Sequence, residues 1–271
     1  MIVGIDSLVS GIADGTKLAI PQDAAGVSMA ATRALVRRGV RDLHLVCVPI
    51  GGLQADLLIG AGCVQTIETS AVTLGEFGTG PRFAAALKAG TLQILDATCP
   101  AIHAALQAGQ KGIPFIPLRG LLGTDLLTAR PDWKVIDNPF APGDPIVLLP
   151  AIVPDVALFH APLADRHGNV FIGRQRELLT MAHAARRTLV TVEEIVARDL
   201  MADPDLAPGV IPATYVTAIA AAPFGARPVK FRDDYSQDDD AFLAYVAAAA
   251  NDAAWNRWLA AWLEETDAVP A

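Results

Sequence analysis

Carboxylates able to attack an acyl group are few in this chain, which holds seven glutamates. Glu76 stands apart, because Gly75 and Gly78 flank it on a loop that follows an apolar run. A carboxylate held in a dry pocket can act as a nucleophile towards a thioester, passing through a mixed anhydride. The same residue can instead cap the helix after Pro81 or pair with Arg82. Four loops at residues 21–26, 51–54, 73–80 and 119–125 follow strand-like runs and carry glycine. Glycine lets backbone N–H groups come close to phosphate or carboxylate oxygens, and Arg119 adds a planar cation. Gly51, Gly52, Arg119, Gly120, Gly123, Thr124 and Asp125 are therefore the candidate ligand-binding residues.

Other chemistries lack their residues. The five histidines (His44, His103, His160, His167 and His183) never form a His-x-x-x-His pair, and Cys47, Cys63 and Cys99 never form Cys-x-x-Cys, so no metal site is expected. Three cysteines at these spacings read as free thiols of a reducing compartment. His160 ends an apolar run and reads as a hydrogen-bonded core residue. There is no P-loop, no Gly-x-Gly-x-x-Gly opening a helix and no Gly-x-Ser-x-Gly elbow.

The elements that must position these residues alternate. Strand-like runs at 17–20, 42–50, 64–72, 92–95 and 114–118 interleave with helical patterns at 27–38, 56–59, 82–89 and 102–110. Such alternation asks for parallel strands with helical crossovers, whose ligands bind at the carboxyl ends of the strands. Further strands are expected at 146–149, 156–159 and 188–192, a turn at 165–169, a helix at 177–187, and a helix or helix pair from Ala241 to Trp262. Asp238, Asp239 and Asp240 read as a helix start. No linker or short repeat divides the chain, so residues 1–271 are expected to form one domain.

Composition narrows the function. Of 271 residues, 52% are hydrophobic and 18% charged, which excludes a disordered chain. The net charge of −8 argues against nucleic acid and anionic membranes as partners. No apolar stretch reaches the ~18 residues of a membrane span. The start, Met1-Ile2-Val3-Gly4-Ile5-Asp6, lacks a signal-peptide pattern, and a cytoplasmic location is expected.

Several stretches together resemble the alpha chain of family I CoA-transferases, the glutaconate CoA-transferase type. They are Asp14-Gly15-Thr16-Lys17-Leu18-Ala19-Ile20, Gly60-Ala61-Gly62-Cys63-Val64, Leu74-Gly75-Glu76-Phe77-Gly78 with Pro81-Arg82-Phe83, and Gly112-Ile113-Pro114-Phe115-Ile116-Pro117 leading into Gly120-Leu121-Leu122-Gly123-Thr124-Asp125. The most specific runs are residues 150–160, Asp165-Arg166-His167-Gly168-Asn169-Val170, residues 184–195 and Pro223-Phe224-Gly225-Ala226-Arg227-Pro228 with Tyr235. The resemblance implies an open three-layer α/β/α fold with a mostly parallel sheet, followed here by a C-terminal helical segment. It also implies a B (beta) subunit partner that supplies the nucleophilic glutamate, with a CoA thioester as substrate, a small carboxylic acid as acceptor and no bound cofactor. Glu76 then has a structural or partner-interface role unless this chain carries the nucleophile itself.

Two departures from the family pattern stand out. The usual Gly-Gly-Phe after the first strand is Pro21-Gln22-Asp23 here. The glutamate of related ring-opening acyl-CoA hydrolases has no counterpart in Asp96-Ala97-Thr98-Cys99-Pro100, although Asp96 is close by. Hydrolysis of a CoA-linked substrate is the alternative activity. A ligand-sensing domain is a third reading, disfavoured because no basic helix-turn-helix is visible.

Overall fold

Short apolar runs without polar alternation must be covered on both faces, and here helices cover them. The computed structural model describes residues 1–264. The first half runs α1 (Ile5–Ser10), β1 (Lys17–Pro21), α2 (Met29–Arg38), β2 (Leu43–Val48), α3 (Leu53–Gly60), β3 (Val64–Thr69), α4 (Pro81–Ala89), β4 (Gln93–Asp96) and α5 (Cys99–Gln110). Strands β1 to β4 lie side by side and parallel, with Leu18 opposite Leu45 and Ile67 opposite Ile94.

After Gly112 the chain leaves this sheet. Strands β5 (Phe115–Leu118), β6 (Lys134–Asp137) and β7 (Pro145–Pro150), with the short α6 (Leu126–Ala129) between the first two, form a separate antiparallel sheet in the order β5-β7-β6. This corrects the expectation that 114–118 continues the parallel pattern. Pro117 has no N–H to donate, so β5 suits an edge, where it pairs with β7 alone. Arg130, 3% exposed, fastens the small sheet to the large one. Its Nη2 donates to Glu68 at 2.8 Å, its Nη1 to the Asp96 carbonyl at 3.2 Å, and its guanidinium lies 4.5 Å over Trp133.

The chain returns through β8 (Val156–Asp165), β9 (Val170–Phe171), α7 (Arg176–Ala184), β10 (Arg187–Val196), β11 (Val210–Ile211) and β12 (Ala218–Ala221). These complete a nine-stranded sheet, parallel except at β9 and β11. The 165–169 turn forms as expected. Asp165 accepts from the amides of His167 and Asn169, and Gly168 takes a left-handed φ of 94°. One face of the sheet packs Leu18, Ile20, Leu45 and Cys47 against α1 to α3; the other packs Ala19, Val46 and Val48 against α5 and α7. The result is three layers, and the C-terminal pair α8 (Asp239–Ala249) and α9 (Asp252–Glu264) is added to them.

The helix pair is tied on through α3. Asp56, buried in that helix, accepts from the amide of Phe83 at 2.6 Å and so caps α4 from a distance. Tyr245 of α8 donates to the same carboxylate at 2.6 Å, and Trp255 Nε1 of α9 donates to the Gly60 carbonyl at 3.0 Å. Burial pushes the Asp56 carboxyl up, against these donors. Tyr245→Phe deletes one hydrogen bond to a buried carboxylate and should cost about 2 kcal/mol by urea denaturation. A loss below about 0.5 kcal/mol would show that Tyr245 does not hold Asp56.

Candidate functional site

Three of the four glycine-bearing loops converge at the carboxyl edge of the parallel sheet. They line a cleft of about 300 Å³ bordered by Gln22, Asp23, Gly51, Gly52, Leu74 and Gly75. Lys230, Gln237 and Phe242, from the segment that crosses this edge and from α8, complete the wall. This is where an open α/β sheet holds its ligand.

The space at Gly52 is already spoken for. A Cβ there would sit 2.1 Å from the Asp23 carboxyl carbon, so glycine makes room for that side chain. Asp23 Oδ2 accepts from the Leu53 amide at 2.9 Å, at the start of α3, where helix amides would otherwise lack partners. Its Oδ1 is out of reach of solvent and has no hydrogen-bond partner among the described residues. Burial, resisted by the Leu53 and Gln54 amides and aided by the charge of Asp56, pushes the Asp23 carboxyl up to about 6. The chain's own carboxylate therefore occupies donors that a substrate anion would need.

Behind the 22–26 loop lies a second set of polar groups. Gly26, at φ 111°, accepts from the His160 amide at 2.7 Å, and a Cβ there would sit 2.4 Å from the His160 carbonyl oxygen. His160 is fully buried; its Nδ1 pairs with Thr191 at 2.9 Å and its Nε2 donates to Glu193 at 2.7 Å. Glu193 also accepts from Tyr235 Oη at 2.8 Å and from the Phe224 amide at 2.6 Å. Burial works to raise the Glu193 carboxyl, yet these donors hold it below its ordinary range. Thr191 reaches Ser28, at the head of α2, at 2.6 Å.

The candidate residues separate into two places. Gly51 and Gly52 line the cleft. Glu76 is exposed on the short turn after cleft-lining Leu74 and Gly75. Arg119, Gly120, Gly123, Thr124 and Asp125 follow β5 of the small sheet and do not line that cleft. Arg119 is 64% exposed in its side chain and directs its fork to Asp144. Gly123 has φ 75°, and the Thr124 hydroxyl donates to the Leu121 carbonyl at 2.7 Å. Asp23, Lys230 and Gln237 were not foreseen as cleft residues. Asp23 lies in the 21–26 loop marked by the sequence, where Pro21-Gln22-Asp23 replaces Gly-Gly-Phe, and Lys230 and Gln237 had no signal. Among the described residues no cluster of His, Cys, Asp or Glu is arranged to hold a metal ion, and no helix is long and apolar enough to cross a membrane.

The fold agrees with comparisons against known proteins. The family model described as coenzyme A transferase matches residues 3–221. The chain belongs to the coenzyme A transferase family. It is 33% identical over 260 residues to the alpha-type chain of the 3-oxoadipate CoA-transferase of Pseudomonas knackmussii, covering 93% of this chain and 89% of that one. It is 30% identical to the IpdA chain of the cholesterol ring-cleaving hydrolase of Mycobacterium tuberculosis, covering 89% and 85%. The crystal structure of glutaconate coenzyme A-transferase from Acidaminococcus fermentans superposes with a TM-score of 0.87 at 26% identity, covering 97% and 88% of the two chains.

Asp23 makes a testable pH signature. Between its ordinary 3.8 and about 6, the folded chain holds a proton that the unfolded chain releases. Stability attributable to this group therefore falls as pH rises through that window. At ~1.4 kcal/mol per pH unit the loss approaches about 3 kcal/mol. Asp23→Asn removes the titration, so the stability of the variant relative to the parent should climb by up to that amount from pH 4 to pH 7. Parallel urea-denaturation curves across the range would refute a buried, raised Asp23.

Proposed function

We propose that the chain is the alpha half of a heteromeric CoA-transferase, a single domain that works beside a beta partner. The pair moves CoA from an acyl-CoA to a small carboxylic acid. The observation that carries this is the near full-length likeness to one chain of a CoA-transferase, joined to a cleft whose lining contains no glutamate. In this reading the beta partner's glutamate attacks the thioester carbonyl, the C–S bond breaks and CoA leaves as thiolate. The thiolate then attacks the glutamyl carbonyl of the anhydride, giving glutamyl-CoA and the free acid. The acceptor acid runs the same two steps in reverse. The chain's own cleft walls this site: Gly51 and Gly52 bring backbone close to the substrate, and Lys230 is the cation available to a carboxylate or to thiolate charge. The Leu53 amide is not available, because Asp23 holds it.

The small sheet supports a partner. Phe140 is 94% exposed, and Phe115, Val135 and Ile136 are also exposed on β5 and β6 and the loop that follows. So much uncovered apolar surface beside one groove is the mark of an interaction face. Arg119, Gly120, Gly123, Thr124 and Asp125 flank that sheet, and any contact they make with CoA or acid would be made from there.

The ownership of the nucleophile decides the reading. Co-expressed with its beta partner and incubated with an acyl-CoA, this chain should stay unlabelled while the partner gains a borohydride-reducible glutamyl-CoA adduct. Glu76→Gln should keep turnover within a few-fold, as befits an exposed residue. An adduct on this chain, with a loss of several orders of magnitude in Glu76→Gln, would make Glu76 the nucleophile. Release of free CoA independent of acceptor acid would identify a hydrolase, and turnover by this chain alone would contradict the shared site.

A further inference from the structure

The cleft at the carboxyl edge has mostly apolar walls. Leu74, Val229 and Phe242 are buried there, and Ile50 joins them. Its volume of about 300 Å³ stands at the small end of the ~300–1,000 Å³ found for ligand pockets, so it suits a short chain. Two charged side chains line it among the described residues, Asp23 and Lys230, and Lys230 is exposed.

Asp23 is held in place from several directions. Gly52 leaves the vacancy beside its carboxyl group, and the Leu53 amide donates to it at 2.9 Å. The Ala25 amide closes the loop by donating to the Gln22 carbonyl at 2.9 Å, and Gln175 Nε2 holds it from outside by donating to the Ala24 carbonyl at 3.3 Å. A carboxylate so fixed does not swing aside for a ligand. It also stands where the family pattern has phenylalanine, so the charge is a feature of this chain.

A dicarboxylate brings two negative ends into this space. Lys230 is the cation that can meet the reacting end; the second end is confined with Asp23 and finds no second cation among the described lining residues. A desolvated charge with a like charge for company is strongly disfavoured, whereas a methyl, hydroxyl or amide end incurs no such cost.

We propose that Asp23 determines specificity in this cleft, admitting acyl tails that end uncharged and excluding those that end in a second carboxylate. This rests on the CoA-transferase reading and narrows its acids to monocarboxylates with short apolar or neutral polar tails. The discrimination comes from a repulsive element placed against the wrong substrate.

4-Carbamoylbutanoate and pentanedioate have nearly the same shape, but only the second has a charged tail. Both are offered as acceptors to the reconstituted pair at pH 8, above the value of about 6 at which Asp23 ionises. The kcat/KM for the amide acid should exceed that for the diacid about ten-fold or more. Asp23→Asn removes the charge at constant size. It should raise kcat/KM for pentanedioate about ten-fold or more, through KM, and leave the amide acid within about three-fold. Should that variant fail to fold, Asp23→Ser should shift the ratio in the same way, because a serine oxygen also accepts from helix amides. Equal use of the two acids by the parent overturns the selection. A folded variant with an unchanged ratio, or one that loses both acids alike, overturns the role of Asp23. If the pair transfers CoA to neither acid, the CoA-transferase reading fails, and saturation-transfer NMR of the same pair decides the selection separately. Binding of the amide acid but not the diacid, with the diacid admitted by Asp23→Asn, upholds it; any other pattern overturns it.

Discussion

The carboxyl edge of the parallel sheet depends on one carboxylate with three donors. Glu193, at the end of β10, takes hydrogen bonds from His160, Tyr235 and the Phe224 amide at once. Each donor comes from a different part of the chain, so a single charge fixes β8, β10 and the crossing segment that supplies Lys230 to the cleft. The buried His160 gains in return a partner for each ring nitrogen, Thr191 on one side and Glu193 on the other. A buried polar network of this kind gives rigidity only because its members are satisfied.

The same device recurs at the helix starts. Open helix N-termini at such an edge are ready anion sites. Here Asp23 fills the start of α3 and Asp56, three residues into that helix, fills the start of α4. Carboxylates from elsewhere in the fold thus replace the local capping side chains, which are absent at both helices. The consequence for function is direct. Donors that serve internal charges are withdrawn from ligands, and Lys230 is the cation on the wall of the cleft.

A division of labour follows between the two sheets. The large sheet builds the cleft, and its core is closed on both faces. The small sheet is held to it by Arg130, whose charge is balanced by Glu68 and Asp132. Burial works to raise the Glu68 carboxyl, but His44, Arg130 and Lys17 together hold it below its ordinary range. With that anchor set, β5, β6 and the loop after β6 leave apolar side chains such as Phe115, Ile136 and Phe140 uncovered.

Local pattern determined much of this protein. The apolar runs of β1, β2 and β3, the helix signals around α2 and α4, the Asp-x-x-Gly-Asn turn after β8 and the aspartates that open α8 all act over a few residues, and each formed where the sequence placed it. Glycine was legible too, but its purpose was not: Gly52 reads equally well as a phosphate cradle and as a vacancy for Asp23. Only the fold, which brings residue 23 beside residue 52, decides between them. The placement of Arg119 was likewise hidden, because whether β5 joins the parallel sheet or an antiparallel one depends on β7, some thirty residues further along. The network at Glu193 unites residues 28, 160, 191, 193, 224 and 235, and no spacing in the sequence encodes it. Secondary structure is decided by neighbours along the chain, whereas buried charges find donors only after the chain has closed around them.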